Sequence, residues 1–355
     1  MDSHQTTSGE SVEIGWEEPK GVIGLSFKIF FLRLITLGIY HFWGKTRVRR
    51  VLWQAVRLNG QPFEYTGTGK ELFLGFLIAV FLIFAPLILI IIGAALLLDQ
   101  ESPLFLVVML LIYVFFFYLT GVAIYRARRY RLSRTRWRGI RGTMTGSPWA
   151  FAWTHFWTAL MLPISLGWAF PWRRVKLNKL LTEQTRFGDR NFEFNGTTRP
   201  LYKPFAVLWI GAVVFYGAFG GIGAYVASQG GSAASWIALL IIPLVFLFII
   251  AFLLVSIWYA VKEMNYFTAC TRFDQTGFRL QATTGSLIGL ALMNILILII
   301  SLGIAMPVIQ VRVVRYFISR LDAVGSVDFA AIAQATDKMD KTGEGLAEAF
   351  DIDMF

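Results

Sequence analysis

The chain has 355 residues, 56% hydrophobic and 16% aromatic, with a formal net charge of +11. Its uncharged apolar runs exclude an ordinary soluble domain. Its one cysteine (Cys270) and three histidines leave no disulfide, metal cluster or nucleophile triad to assemble, so no metal, no cofactor and no enzymatic role are expected.

Residues 1–21 are polar and acidic (Asp2, Glu10, Glu13, Glu17, Glu18) and are expected to be disordered. They lack the basic flank and short apolar core of a cleavable signal peptide. A first unit, 22–133, opens with an apolar segment ending in "ITLGIYHFWGKTRVRR" (35–50), where Lys45, Arg47, Arg49 and Arg50 crowd together ahead of Arg57. "FEYTGTG" (63–69) then alternates aromatic and polar residues like a short strand. Runs 72–98 and 103–125 are long enough to cross roughly 30 Å of hydrocarbon. The second unit, 134–265, repeats this plan with "ISLGWAFPWRRVKLNK" (164–179), "FEFNGTT" (192–198) and spans at 205–228 and 236–261. A third, partial unit, 266–325, contains "ISLGIAMPVIQVRVVR" (300–315) and ends after one basic helix. The remainder, 326–355, is an acidic tail.

A spacing of 129 residues pairs Gly38 with Gly167, Trp43 with Trp172 and Arg57 with Arg186. Gly303 and Pro307 match Gly167 and Pro171 in the third copy. The predicted fold class is therefore an all-α integral membrane protein of pseudo-repeated units. It has two helical hairpins, three Thr/Ser-Leu-Gly segments that either re-enter or span, and room for small cytoplasmic β pieces, which "IRGTMTG" and "FRLQATTG" could join.

"TLGIYHFWGKTRVRR" followed by "FEYTGTGKELFLGF" resembles the YjgN family of bacterial inner-membrane proteins, over roughly residues 22–325. The third copy departs from the pattern, with Val308 in place of Trp and no Phe-x-aromatic-x-Gly stretch. The resemblance implies a multi-pass inner-membrane location and no particular substrate.

Positive charge marks the cytoplasmic side. Residues 45–71 hold six Lys and Arg, and 126–146 and 173–204 hold eight each, while the turns "DQES" (99–102) and "QGGSAA" (229–234) hold none. Both hairpin tips therefore point outward. Seven spans would carry 173–204 outside against this bias, whereas re-entrant segments, broken at Gly and Pro, would not. The third copy is uncharged from Leu280 to Val311, which is long enough to cross. Both topologies remain open at the level of sequence.

Two functions fit. One is transport or permeation of an anionic lipid or small solute, with a membrane-depth site at Thr36, Gly38, Ser165, Gly167, Ser301 and Gly303. The other is a non-transporting scaffold that organises anionic lipid or partner proteins through a basic cytoplasmic face. Either would meet headgroups with Arg47, Arg50, Arg57, Arg174, Lys176, Lys179 and Arg186. Nucleic acid is not an expected partner. His41 and His155, among membrane aromatics, read as packed, hydrogen-bonded histidines, and Glu64 and Glu193 as partners of nearby cations. Gly217 and Gly221 have the spacing of a close helix contact.

In a Cys270→Ser background, Arg186→Cys is expected to be shielded from a membrane-impermeant thiol reagent in intact cells, while Gln229→Cys reacts. The reverse pattern would establish seven spans.

Overall fold

Caps and apolar length set the helix boundaries, and the computed structural model describes residues 10–229 and 231–334. Strands β1 (Glu10–Ser11) and β2 (Ile14–Trp16) lead into helices α1 (Val22–Ile35) and α2 (His41–Ala55), then strands β3 (Val56–Leu58), β4 (Gln61–Pro62) and β5 (Glu64–Tyr65). Helix α3 (Gly69–Ala79) runs through a π-helical turn into α4 (Ala85–Leu97), and α5 (Pro103–Arg134) returns to strands β6 (Thr135–Trp137) and β7 (Ile140–Met144). Next come α6 (Pro148–Ile164), α7 (Phe170–Glu183), β8 (Thr185–Phe187), β9 (Arg190–Phe194), α8 (Arg199–Gln229) and α9 (Gly231–Ala269). The described chain closes with β10 (Thr271–Phe273), β11 (Thr276–Leu280), α10 (Thr284–Ile300), α11 (Met306–Ile318), β12 (Leu321–Val324) and β13 (Ser326–Val327). Side-chain oxygens of Thr68, Ser102, Ser147 and Thr283 cap α3, α5, α6 and α10.

Among the described residues, four stretches are long and apolar enough to cross a membrane: Gly69–Leu97, Pro103–Arg134, Arg199–Tyr225 and Pro243–Ala269. At most 22% of any of their most apolar windows is buried inside the protein, so most of that surface needs a non-aqueous surrounding.

The pairs α1–α2, α6–α7 and α10–α11 are helical hairpins. Ser286 and Tyr316 join hydroxyls at 2.7 Å, and Arg312 Nε donates to Asn294 Oδ1 at 3.1 Å, which folds α11 back along α10. In the first hairpin, a Cβ on Gly44 would lie 2.9 Å from Ile29 Cγ2, so only glycine permits this approach of α2 to α1. The longest of these six helices has 17 residues, about 25 Å at 1.5 Å per residue, short of the roughly 30 Å hydrocarbon core.

Each hairpin turns in the same way. Leu37, Leu166 and Leu302 have φ of 49°, 50° and 49°, and Gly38, Gly167 and Gly303 follow at 91°, 84° and 84°. Gly38 N–H donates to Arg33 O at 2.7 Å and Leu37 N–H to Leu34 O at 3.2 Å, with matching bonds at Gly167–Leu162 and Gly303–Leu298. These are Schellman bonds, in which the left-handed position that usually takes glycine is held by leucine.

The strands make a circuit. Eight run antiparallel in the order β12-β11-β10-β9-β8-β7-β6-β5. β4 continues into β5 through Phe63, β3 pairs with β4, β2 with β3, and β1 with β13, which continues β12 past Gly325. The path thus returns to its start. Two-residue turns at Asn59-Gly60 and Arg138-Gly139, all with positive φ, give the type of hairpin that matches strand twist. Inside lie Trp137, Phe273, Val327, Phe329 and Ile332, with Leu58, Phe63, Phe187, Phe192 and Phe278 against them.

The all-α expectation is therefore corrected: the molecule is mostly helical but carries substantial antiparallel sheet. The four stretches expected as β pieces contribute β5, β7, β9 and β11, and the eight-stranded sheet takes in β6, β8, β10 and β12 as well. Residues 10–16, expected to be disordered, form β1 and β2, because Asn59 Oδ1 accepts from Glu13 N–H and Arg57 and Arg138 pair with Glu17 and Glu10. Residues 326–334, expected as tail, are drawn into the circuit by apolar burial of Val327 and Phe329. The rest of the acidic tail, 335–355, lies outside the described residues. Among the described residues, a Cβ on Gly217 or Gly221 would meet nothing within 4 Å, so neither makes there the close contact expected of it.

Gly167→Val should lower stability by roughly 2 kcal/mol, because a β-branched residue resists positive φ. Gly211→Val, in open space on α8, should change it by less than about 0.5 kcal/mol. Thermal melting in detergent checks the difference.

Candidate functional site

The Thr/Ser-Leu-Gly hydroxyls serve their own turns. Thr36 Oγ1 donates to Leu32 O at 2.7 Å and accepts from Tyr40 N–H at 2.9 Å. Ser165 repeats this with Met161 O (2.7 Å) and Ala169 N–H (2.9 Å), and Ser301 with Leu298 O (3.4 Å) and Ala305 N–H (3.2 Å). Each hydroxyl thus ties the end of one helix to the start of the next. Among the described residues, no hydrogen bond joins one step to another. Of the six membrane-depth candidates, Gly303 lines a cleft beside α1 and α2, whereas Gly167 lies against Trp209, whose indole N–H donates to Leu166 O at 2.7 Å.

The seven headgroup candidates divide by partner. Arg47 lies 5.5 Å from the Tyr40 ring and Lys176 5.0 Å from the Trp172 ring, both as cation–π contacts on exposed positions. Arg50 donates to Gly67 O at 2.9 Å. Arg57 pairs with Glu17, Arg186 bonds Asn191, and Lys179 lies 3.7 Å from Glu183. Arg174 makes two 2.9 Å bonds to the buried Glu263 carboxylate. That hydrogen bond raises the Arg174 pKa, whereas burial, then Arg174 itself, lowers that of Arg173. Arg47, Arg50, Lys176 and Lys179 remain exposed for an anion to approach.

Two acid–arginine pairs escaped the sequence. Glu263 meets Arg174, and Glu71 meets Arg134 at 3.1 Å while accepting from Tyr130 Oη at 2.7 Å. Their signal was an acidic residue inside the first or last turns of a spanning helix, where it needs a partner. Glu64 and Glu193 stand across the sheet from Arg136 and Arg272, consistent with the pairing expected of them. His155 is buried among Phe117 and Phe151, and its Nδ1 has no hydrogen-bond partner among the described residues. Among the described residues, no group of three or more His, Cys, Asp or Glu could hold a metal ion.

Four membrane-capable stretches, three short hairpins with apolar tips and a strand circuit beneath basic helices define a membrane protein of helical class with a sheet at its base. Residues 21–349 match the family described as a bacterial protein of unknown function (DUF898). A shorter stretch of 55 residues is 46% identical to the inner membrane protein YjgN of Salmonella typhimurium, over 16% of this chain and 14% of that relative's length. The chain belongs to the DUF898, or YjgN, family. No solved structure matches it.

Glu263→Ala should destabilise the protein by on the order of 2 kcal/mol, less than a fully buried pair would lose because Arg174 is half exposed. Glu263→Gln, which keeps a hydrogen-bond acceptor, should lose less. Melting curves of the two variants in detergent check the order.

Proposed function

We propose that this chain is a multi-pass protein of the bacterial inner membrane that gathers anionic lipid at the cytoplasmic leaflet without catalysing a reaction. In this reading it is built from repeated units whose helical hairpins re-enter the bilayer from the cytoplasmic side. The carrying observation is the conformation and exposure of three leucines. Leu37, Leu166 and Leu302 are 94%, 78% and 86% exposed at positive φ. A left-handed L-residue costs roughly 1–2 kcal/mol, which glycine would avoid. These side chains pack on little else in the protein, so water offers no return for that strain.

Hydrocarbon does. Ile35, Ile164 and Ile300, each 74% exposed, stand beside the leucines. Six such side chains entering lipid would contribute on the order of 10 kcal/mol. The basic helices α2, α7 and α11 descend directly from these tips, which sets Arg47, Arg50, Lys176 and Lys179 at headgroup level beneath an inserted tip.

Carriage of an anionic lipid or small solute is the second reading. It is favoured by the cleft that reaches Gly303, and opposed by the closure of the three hydroxyls into their own turns.

The test is electron paramagnetic resonance of spin-labelled lipids in vesicles holding the full chain. Anionic lipid should be enriched several-fold over zwitterionic lipid in the motionally restricted shell, and less so as added salt shortens the screening length. Equal partition of the two would overturn lipid gathering, and transbilayer movement of the labelled lipid in the same vesicles would favour carriage.

A further inference from the structure

Beyond the tip glycines Gly38, Gly167 and Gly303, the helices α2, α7 and α11 carry a basic residue at the ninth position and again at the twelfth. The ninth residues are Arg47, Lys176 and Arg312, and the twelfth are Arg50, Lys179 and Arg315. No other position between a tip and the strand that follows it is basic in all three hairpins. Residues three apart share a helix face. Each tip turns through the same dihedral angles and the same pattern of hydrogen bonds, so equal distance along the chain here means equal depth.

That depth is a particular one. Nine residues of helix descend about 14 Å, close to the roughly 15 Å of half a hydrocarbon core. A tip that fills one leaflet therefore sets Arg47, Lys176 and Arg312 at its headgroup boundary.

The two positions differ in what holds them. At the twelfth, Lys179 lies 3.7 Å from Glu183, Arg315 lies 3.1 Å from Glu18, and Arg50 donates to Gly67 O at 2.9 Å. Two of those three charges are thus already met by a carboxylate. At the ninth, every partner is neutral. Arg47 rests 5.5 Å from the Tyr40 ring, Lys176 lies 5.0 Å from the Trp172 ring, and Arg312 Nε donates to Asn294 Oδ1 at 3.1 Å. Arg47 and Lys176 are exposed and Arg312 is half-buried, and among the described residues none of the three has an acidic partner.

A ring face or an amide oxygen steadies a cation without cancelling its charge. Tyr and Trp themselves favour the headgroup level, where one side of the ring is apolar and the other wet. Each ninth residue is therefore a steadied, uncompensated cation in the layer where lipid phosphates lie. The guanidinium groups of Arg47 and Arg312 can take two phosphate oxygens at once, whereas Lys176 acts as a point charge.

We infer that each hairpin carries one subsite for the phosphate of an anionic phospholipid of the cytoplasmic leaflet, at Arg47, Lys176 and Arg312, so that one chain holds three. The inference rests on the proposed insertion of the tips and gives lipid gathering a number and three positions.

The test is native mass spectrometry of the full chain, titrated with phosphatidylglycerol or phosphatidylcholine, which counts bound lipids and gives the affinity of each step. Three phosphatidylglycerol molecules should bind ahead of any further lipid, and phosphatidylcholine should show no such set. Arg47→Gln, Lys176→Gln and Arg312→Gln should each weaken one of the three steps roughly fivefold, the attraction of one cation at a headgroup. Arg47→Lys and Lys176→Arg keep the charge and should keep the step, so a folding defect in one variant does not decide the outcome. Lys179→Gln, and Arg279→Gln on β11, should change none of them.

Equal binding of the two lipids in all three steps would overturn the inference. An equal loss from Lys179→Gln would overturn it too, since the phosphate would then read a diffuse patch. Full displacement of the bound lipid by millimolar glycerol phosphate would assign the cations to a free phosphate instead. Anionic enrichment in the spin-label experiment, with binding steps indifferent to all three glutamine variants, would remove the subsites and leave lipid gathering intact. Equal partition in that experiment would remove both.

Discussion

Hydrogen bonding between short strands holds the helical parts of this molecule to one another. Among the described residues no strand exceeds five residues, and an isolated hairpin of that size is marginal in water. The strands persist because they pair in sequence around a common interior, where Trp137, Phe273, Val327 and Phe329 are almost wholly buried. Trp137 lies 4.7 Å from Phe329 between ring centroids, and Phe192 the same distance from Phe273. Closing the path also removes exposed strand edges, which would otherwise invite pairing with another chain. The N-terminal strands and the 326–334 segment complete the circuit, with Gln334 bonded to Arg141 N–H and Gly139 O.

Each helical hairpin rises from this base and must end without stranding backbone groups. The Schellman bonds and the hydroxyl of Thr36, Ser165 or Ser301 satisfy the carbonyls and amides at the turn. That closure is what a chain turning inside a low-dielectric layer requires, since an unmet amide or carbonyl costs several kcal/mol there. The leucine at the left-handed position is the exception to economical folding, and its exposure connects backbone strain with the surrounding solvent. Strain and solvent are one problem here.

Charge is arranged by depth along the same axis. The membrane-capable stretches bring Glu71 and Glu263 towards their strand-side ends, where Arg134 and Arg174 meet them. Further down, Glu10, Glu17 and Glu18 pair with Arg138, Arg57 and Arg315, so the acidic N-terminal segment neutralises part of the basic base. These pairs account for several cations that a headgroup site would otherwise claim. Exposed Arg47 and Lys176 stay on the flanks.

The sequence by itself determined the membrane class, the four apolar stretches, the three Thr/Ser-Leu-Gly breaks and the family. Each of these depends on local composition: hydropathy over some twenty residues, or a turn that needs particular residue types within five positions. Strands were legible only where alternation ended in glycine, as at Glu64–Tyr65, although Asn59-Gly60 also carried a hairpin signal. Only the tertiary structure decided that these strands form one circuit, that β1 finds β13 more than 300 residues away, and that Glu263 takes Arg174. It also decided where the cleft opens, because α11 meets α1 and α2 across nearly the whole length of the chain. Pairing between distant residues leaves no periodicity in either partner, so it becomes visible only when packing brings them together.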